Sequence, residues 1–167
     1  MALAEQDTRD GVIVGLIAYG TGAVVYSLFD LLASRGPLYS VNLLGLAVFR
    51  DVRDSGVLNF PVQLDLWAIF LYNGLHLSLS LLIGVAVMVL VGYAERTPQQ
   101  ALVMLLLIVS GFVVTIAGVG WLSIPIRPLL PWWSIIMANA VAVVTAAVYV
   151  TRRRPGILGR LVPFGGG

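Results

Sequence analysis

Cysteine and lysine are both missing from this chain, and histidine occurs once. Without cysteine there is no disulfide, no thiolate nucleophile and no Cys-bound metal. Without lysine there is no Schiff-base chemistry and no phosphate-loop lysine, so all ten basic residues are arginine. The single histidine, His76, excludes a haem held by two histidines of this chain and any two-histidine metal helix. A Ser-His-Asp triad would have to join His76 to Asp30 or Asp65, whose spacings do not argue for it. No Gly-x-Ser-x-Gly turn supplies a nucleophile. The chain is therefore expected to be neither an enzyme nor a metal protein.

Charge is scarce as well. Only 11% of the residues are charged and 59% are hydrophobic, whereas soluble domains carry roughly 25% charged residues. The scarcity is concentrated in four charge-free runs: Gly11–Phe29, Trp67–Ala94, Thr97–Ile126 and Pro128–Thr151. Each can supply the roughly 20 apolar residues that a helix needs to cross a bilayer. The run Leu81–Val91 shows no alternation of apolar and polar residues, which argues against a barrel strand. Lipid leaves unpaired backbone groups without partners, so the spans should be helices.

These features predict an all-α integral membrane protein, a four-transmembrane-helix bundle forming one domain over 1–167. The helices are expected near 12–33, 64–93, 100–123 and 132–150. The acidic start of the chain, with Glu5, Asp7 and Asp10 against Arg9, argues that the first apolar run is a retained helix and not a cleaved signal. Pro125 and Pro128 stop the third helix, and Pro131 suits the start of the fourth.

Between helices 1 and 2, residues 40–54 should form a short interfacial helix, too short to span. Its apolar part ends in Arg50-Asp51-Val52-Arg53-Asp54. Arg50 and Asp54 stand four apart and can pair. Arg50, Asp51, Arg53 and Asp54 are either solvated charges or a docking element for another subunit.

An even number of helices puts both termini on one side. That side holds Arg9, Arg96, Arg152, Arg153, Arg154 and Arg160, against Arg35, Arg50, Arg53 and Arg127 on the other. The bias predicts both termini in the cytoplasm of a bacterial cytoplasmic membrane. Trp67, Trp121, Trp132 and Trp133 fall at the opposite helix ends, where aromatic rings sit at headgroup level. The Arg152-Arg153-Arg154 cluster reads as a topology anchor against anionic lipid. Nothing in it supports nucleic-acid binding.

Few polar residues remain inside the spans. Asn73, His76 and Ser80 share one face of the second helix. Thr115 and Asn139 should lie in the same half of the bundle. The bland role for all five is interhelical hydrogen bonding. An intramembrane histidine could instead ligate a pigment or hydrogen-bond a quinone. No cofactor is required by the sequence. Small residues four apart, Gly11 and Gly15, Ala18 and Gly22, and Ala138, Ala142 and Ala146, let helices approach closely, within the chain or in a homo-oligomer.

The leading functional expectation is an accessory subunit of a larger membrane complex, respiratory or photosynthetic, contacting lipid and other membrane subunits. The alternative is a small binder of a pigment, quinone or other hydrophobic ligand centred on His76. A homo-oligomeric transporter or channel is the weakest of the three, because Asp30, Asp65 and Glu95 all sit at helix ends and not within the membrane.

Overall fold

The computed structural model describes residues 2–52, 54, 56, 62–157 and 159. Arg53, Arg160 and the terminal Gly165-Gly166-Gly167 lie outside the described residues. Among the described residues five α-helices follow one another: α1 (Ala2–Leu32), α2 (Tyr39–Phe49), α3 (Leu66–Arg96), α4 (Ala101–Leu122) and α5 (Trp132–Arg153). By length and composition α1, α3, α4 and α5 suffice to cross a membrane, which suggests a membrane protein. The eleven-residue α2 is the short helix expected between the first two spans.

The helix ends have local causes. Asp65 caps α3, its side chain accepting from the Ala68 N–H. The break between α3 and α4 falls at Thr97-Pro98, where a short 3-10 turn, Pro98–Gln100, leads into α4. A second such turn, Ile124–Ile126, follows α4. Pro131 then stands in extended conformation immediately before α5.

Four boundaries differ from the expectation by three residues or more, each for a reason involving charge; α3 runs on to Arg96, which bonds Asp7. α1 begins ten residues before Val12, at Ala2, because Asp7 and Asp10 meet arginines of other helices. α5 runs on through Arg152 and Arg153 for the same reason. α2 stops at Phe49, short of Asp54, and Asp51 adopts a left-handed backbone with φ 51°. Arg50 leaves the helix axis and bonds Asp65 at 2.7 and 3.4 Å in place of the pairing expected with Asp54. Asp54 accepts from the Gly56 N–H at 2.8 Å.

α1 is the axis of the bundle, packed lengthwise against α3 and α5 and antiparallel to both. Its contact with α3 is backbone on backbone. A Cβ at Gly15 would lie 2.6 Å from the Ser80 carbonyl oxygen, and one at Gly11 would lie 2.5 Å from the Val85 Cα. Across the interface, Gly84 faces the Gly11 carbonyl and the Gly15 amide, and Gly92 faces the Asp7 carboxylate. In lipid, where burying apolar side chains gives no advantage between helices, such close approach is a main source of association.

Two apolar clusters fill the ends of the bundle. At the end carrying both termini, Val14, Met88, Val91, Ala94, Ala101, Val150 and Ile157 pack together. At the opposite end, the loop end, Leu43, Leu44, Ile126, Leu130 and Ile135 do so, with Tyr26, Tyr39 and Tyr72 against them. α4 stands at the margin, buried only at its two ends through Ala101 and Gly120.

Candidate functional site

The α1–α3 interface changes character along its length. Through Gly11, Gly15, Ser80 and Gly84 there is no room between the backbones. One turn further, His76 stands opposite Gly22, and a Cβ there would lie 3.5 Å from the His76 Cε1. From this point the side chains facing each other are large. Tyr19 presents its ring edgewise to His76, with centroids 5.3 Å apart and planes at 62°. Tyr72 lies on the other side at 6.0 Å, tilted by 41°. The helices are held apart and a cavity of about 70 Å³ opens between them.

Ala23, Tyr26 and Ser27 of α1 and Tyr72, Asn73 and His76 of α3 form two walls. Pro37, Leu38, Val41 and Leu44, in and before α2, close a third side. The cavity is partly enclosed, with a polar wall and an apolar wall, and among the described residues no charged one lines it.

The polar wall contains groups in two different states. Asn73 is already bonded: its Oδ1 accepts from the Tyr19 hydroxyl at 3.0 Å, and its Nδ2 donates to the Ile69 carbonyl at 2.9 Å. No described residue hydrogen-bonds the side chains of Tyr26, Tyr72 or His76, all half-buried. All three residues line one space, an arrangement that a bound molecule or water would satisfy.

The position of α2, and with it the third wall, is fixed by polar contacts at the loop end. Asp30, fully buried, accepts from the Ser40 amide at 2.7 Å and from its hydroxyl at 2.6 Å. Asn42, also fully buried, donates to the Gln63 carbonyl at 3.0 Å and accepts from the Asp65 amide at 2.9 Å. Gly45 packs on the Ala68 carbonyl, where a Cβ would come within 2.6 Å. The Arg50 guanidinium, and then the Ala68 amide, hold the Asp65 carboxyl below its ordinary range, and Asp65 in turn raises Arg50. Arg35 completes the corner, bonding the Leu129 carbonyl at 2.8 Å and lying 4.7 Å above the Tyr39 ring.

Two of the five polar residues singled out by sequence, Asn73 and His76, line the cavity. Ser80 does not; it is buried at the close crossing beside Gly15. Thr115 and Asn139 bond carbonyls of their own helices, Gly111 and Ile135, at 2.8 Å each. Tyr19, Tyr26 and Tyr72 are site residues that the sequence reading does not single out. Their signal lies in the spacing: Tyr19 and Tyr26 stand seven apart on α1, and Tyr72 stands four before His76 on α3.

Charged groups gather at the end that carries the termini. Arg154 turns inward, bonding Asp7 at 2.6 Å and Glu95, with Asp10 at 3.7 Å. Arg96 bonds Asp7 at 2.7 Å, and Arg153 reaches Asp10 at 3.5 Å. Arg152 is exposed. Trp67, Trp121, Trp132 and Trp133 sit at the loop end, each at least half exposed. Among the described residues no three His, Asp or Glu side chains gather as metal ligands.

No family model, curated protein or solved structure matches this chain. The cavity offers hydrogen-bonding groups of Tyr26, Ser27, Tyr72, Asn73 and His76 beside an apolar surface.

Proposed function

We propose that this is a small, non-catalytic membrane protein that binds a hydrophobic ligand in the cavity between α1, α2 and α3. The observation that carries this reading is the convergence of the unpartnered Tyr26, Tyr72 and His76 side chains on one partly enclosed, uncharged space. His76 is then a recognition group and not only packing. A cavity of about 70 Å³ is about half the roughly 150 Å³ that encloses a benzene. A pigment macrocycle does not fit it, so part of a quinone-sized molecule is favoured over a pigment. The arginine bias and the tryptophan belt support a bacterial cytoplasmic membrane with both termini inside.

Extraction of the protein purified with its native lipid tests the proposal. The wild-type chain should release a hydrophobic molecule that Ala23→Phe, which fills the cavity, retains at least several-fold less. Identical extracts from the two would refute the reading. His76→Ala should lower ligand content as well.

A second reading, an accessory subunit of a larger membrane complex, has one observation in its favour. No residue in the middle turns of α4 is fully buried, and Gly111 and Gly118 face open space. Recovery from native membrane as a lone monomer would count against it.

A further inference from the structure

We infer that the cavity receives a neutral carbonyl group, presented edge-on by a molecule dissolved in the bilayer. The inference rests on the reading of the cavity as a ligand site and adds the chemistry of the ligand.

Charge narrows the choice first. None of the ten lining residues is charged, and the nearby Asp30 is committed to Ser40. An ionised ligand would be desolvated there without a counter-charge, which is costly. The ligand is neutral.

Hydrogen bonding narrows it further. No described residue bonds the Tyr26 and Tyr72 hydroxyls or the His76 ring, whereas Asn73 already gives one lone pair to Tyr19 and one N–H to Ile69. Each phenol offers a donor, and a neutral imidazole offers one N–H. Each of these groups can also accept, but an unmet buried donor is tolerated less often than an unmet lone pair, so the best complement is a group that brings lone pairs and no donor of its own. A carbonyl oxygen does so, with two lone pairs.

Size and shape decide how much of the ligand enters. The space is too small for a whole substituted ring but admits a carbonyl and the atoms beside it. Pro37, Leu38, Val41 and Leu44 provide an apolar surface for the rest of the molecule. Two membrane-soluble sources share this chemistry: a quinone ring and the ester of a glycerolipid.

The full chain in nanodiscs of ether-linked phosphatidylcholine, which has no carbonyl, distinguishes them. The probes are a decyl-substituted benzoquinone with ¹³C-labelled carbonyls and decylbenzene. Infrared difference spectra should show the labelled stretch lowered on binding, and Tyr72→Phe should weaken binding about two- to tenfold. Tyr72→Phe keeps the ring, and circular dichroism verifies its fold.

In ester-linked discs, a lowered ester stretch together with displacement of the quinone would assign the site to a lipid ester and support the inference. Retained quinone binding in those discs would assign it to the quinone. Equal binding of decylbenzene and quinone, with no effect of Tyr72→Phe, would overturn the carbonyl while leaving a ligand site. Binding of neither probe, with no shifted stretch in either lipid, would overturn both.

Discussion

Glycine and serine positions set the distance between α1 and α3, and one atom at the right place should open it. A Cβ at Gly84 meets the Gly11 and Gly15 backbones, which cannot move independently of the helix. Gly84→Val should therefore cost about 1–3 kcal/mol through overpacking. Gly111, with open space around it, is the control, and Gly111→Val should leave stability within about 0.5 kcal/mol. Reversible unfolding in mixed micelles measures both. Equal stability of the two variants would mean that the close crossing is not what holds α1 to α3. Spacing alone marks Gly11 and Gly15 as a close-approach pair. It does not show what faces them; the polar Asn73, His76 and Ser80 face of α3 is the side that meets α1, and Gly84 lies one turn beyond Ser80 on it.

At the scale of the element, α2 depends on two anchors with different sensitivities. The first is buried: the Asp30 carboxylate satisfies both the amide and the hydroxyl of Ser40. Asp30→Ala leaves Ser40 without either bond, at about 1.5–3 kcal/mol for a hydrogen bond to a charged group. Amides of Tyr39–Phe49 should then exchange faster, while those of α5 keep their protection. Unchanged exchange in α2 would show that Asn42 and Gly45 hold it alone.

The second anchor is exposed and responds to pH. Arg50 lowers the Asp65 carboxyl, so the stabilisation it provides is full above the ordinary carboxylate pKa, about 3.9. It is lost as the pH falls through the lower, folded value. In a variant retaining only Trp67, which stacks on Phe70 one turn from Asp65, fluorescence should titrate below that ordinary value. Arg50→Gln should move the midpoint upward. A midpoint indifferent to Arg50 would remove the guanidinium as its cause.

The existence of α2 is legible in its run of apolar residues too short to span. Its end is not, because helical spacing makes Arg50 and Asp54 look like partners, whereas the true partner, Asp65, is brought near only by the fold.

For the whole molecule, the same limit applies to the charges near the termini. By sequence, Asp7 and Asp10 flank a span and Arg152-Arg153-Arg154 anchor one to lipid. Neither segment carries a sign that they meet, since they stand at opposite ends of the chain. In the fold, Arg154 ties the start of α1 to the ends of α3 and α5. Asp10 beside it is fully buried, and its Oδ2 has no hydrogen-bond partner. Removing Arg154 would take away the one arginine that reaches both carboxylates and is itself mostly buried, leaving Asp7 with Arg96 and Asp10 with Arg153, both about half exposed. Breaking a buried pair on one side costs about 3–5 kcal/mol, more than the intact pair contributes relative to apolar replacements. Arg154→Met should therefore destabilise the bundle severely, and Arg152→Met, at an exposed position, hardly at all. Adding Asp7→Asn and Asp10→Asn to Arg154→Met should recover much of the loss, because the uncompensated charge is then gone. If Arg152→Met and Arg154→Met instead unfold alike in lipid discs, both arginines act only on the membrane surface. In that case the joining of the helix ends rests on the apolar cluster around Met88 and Val150.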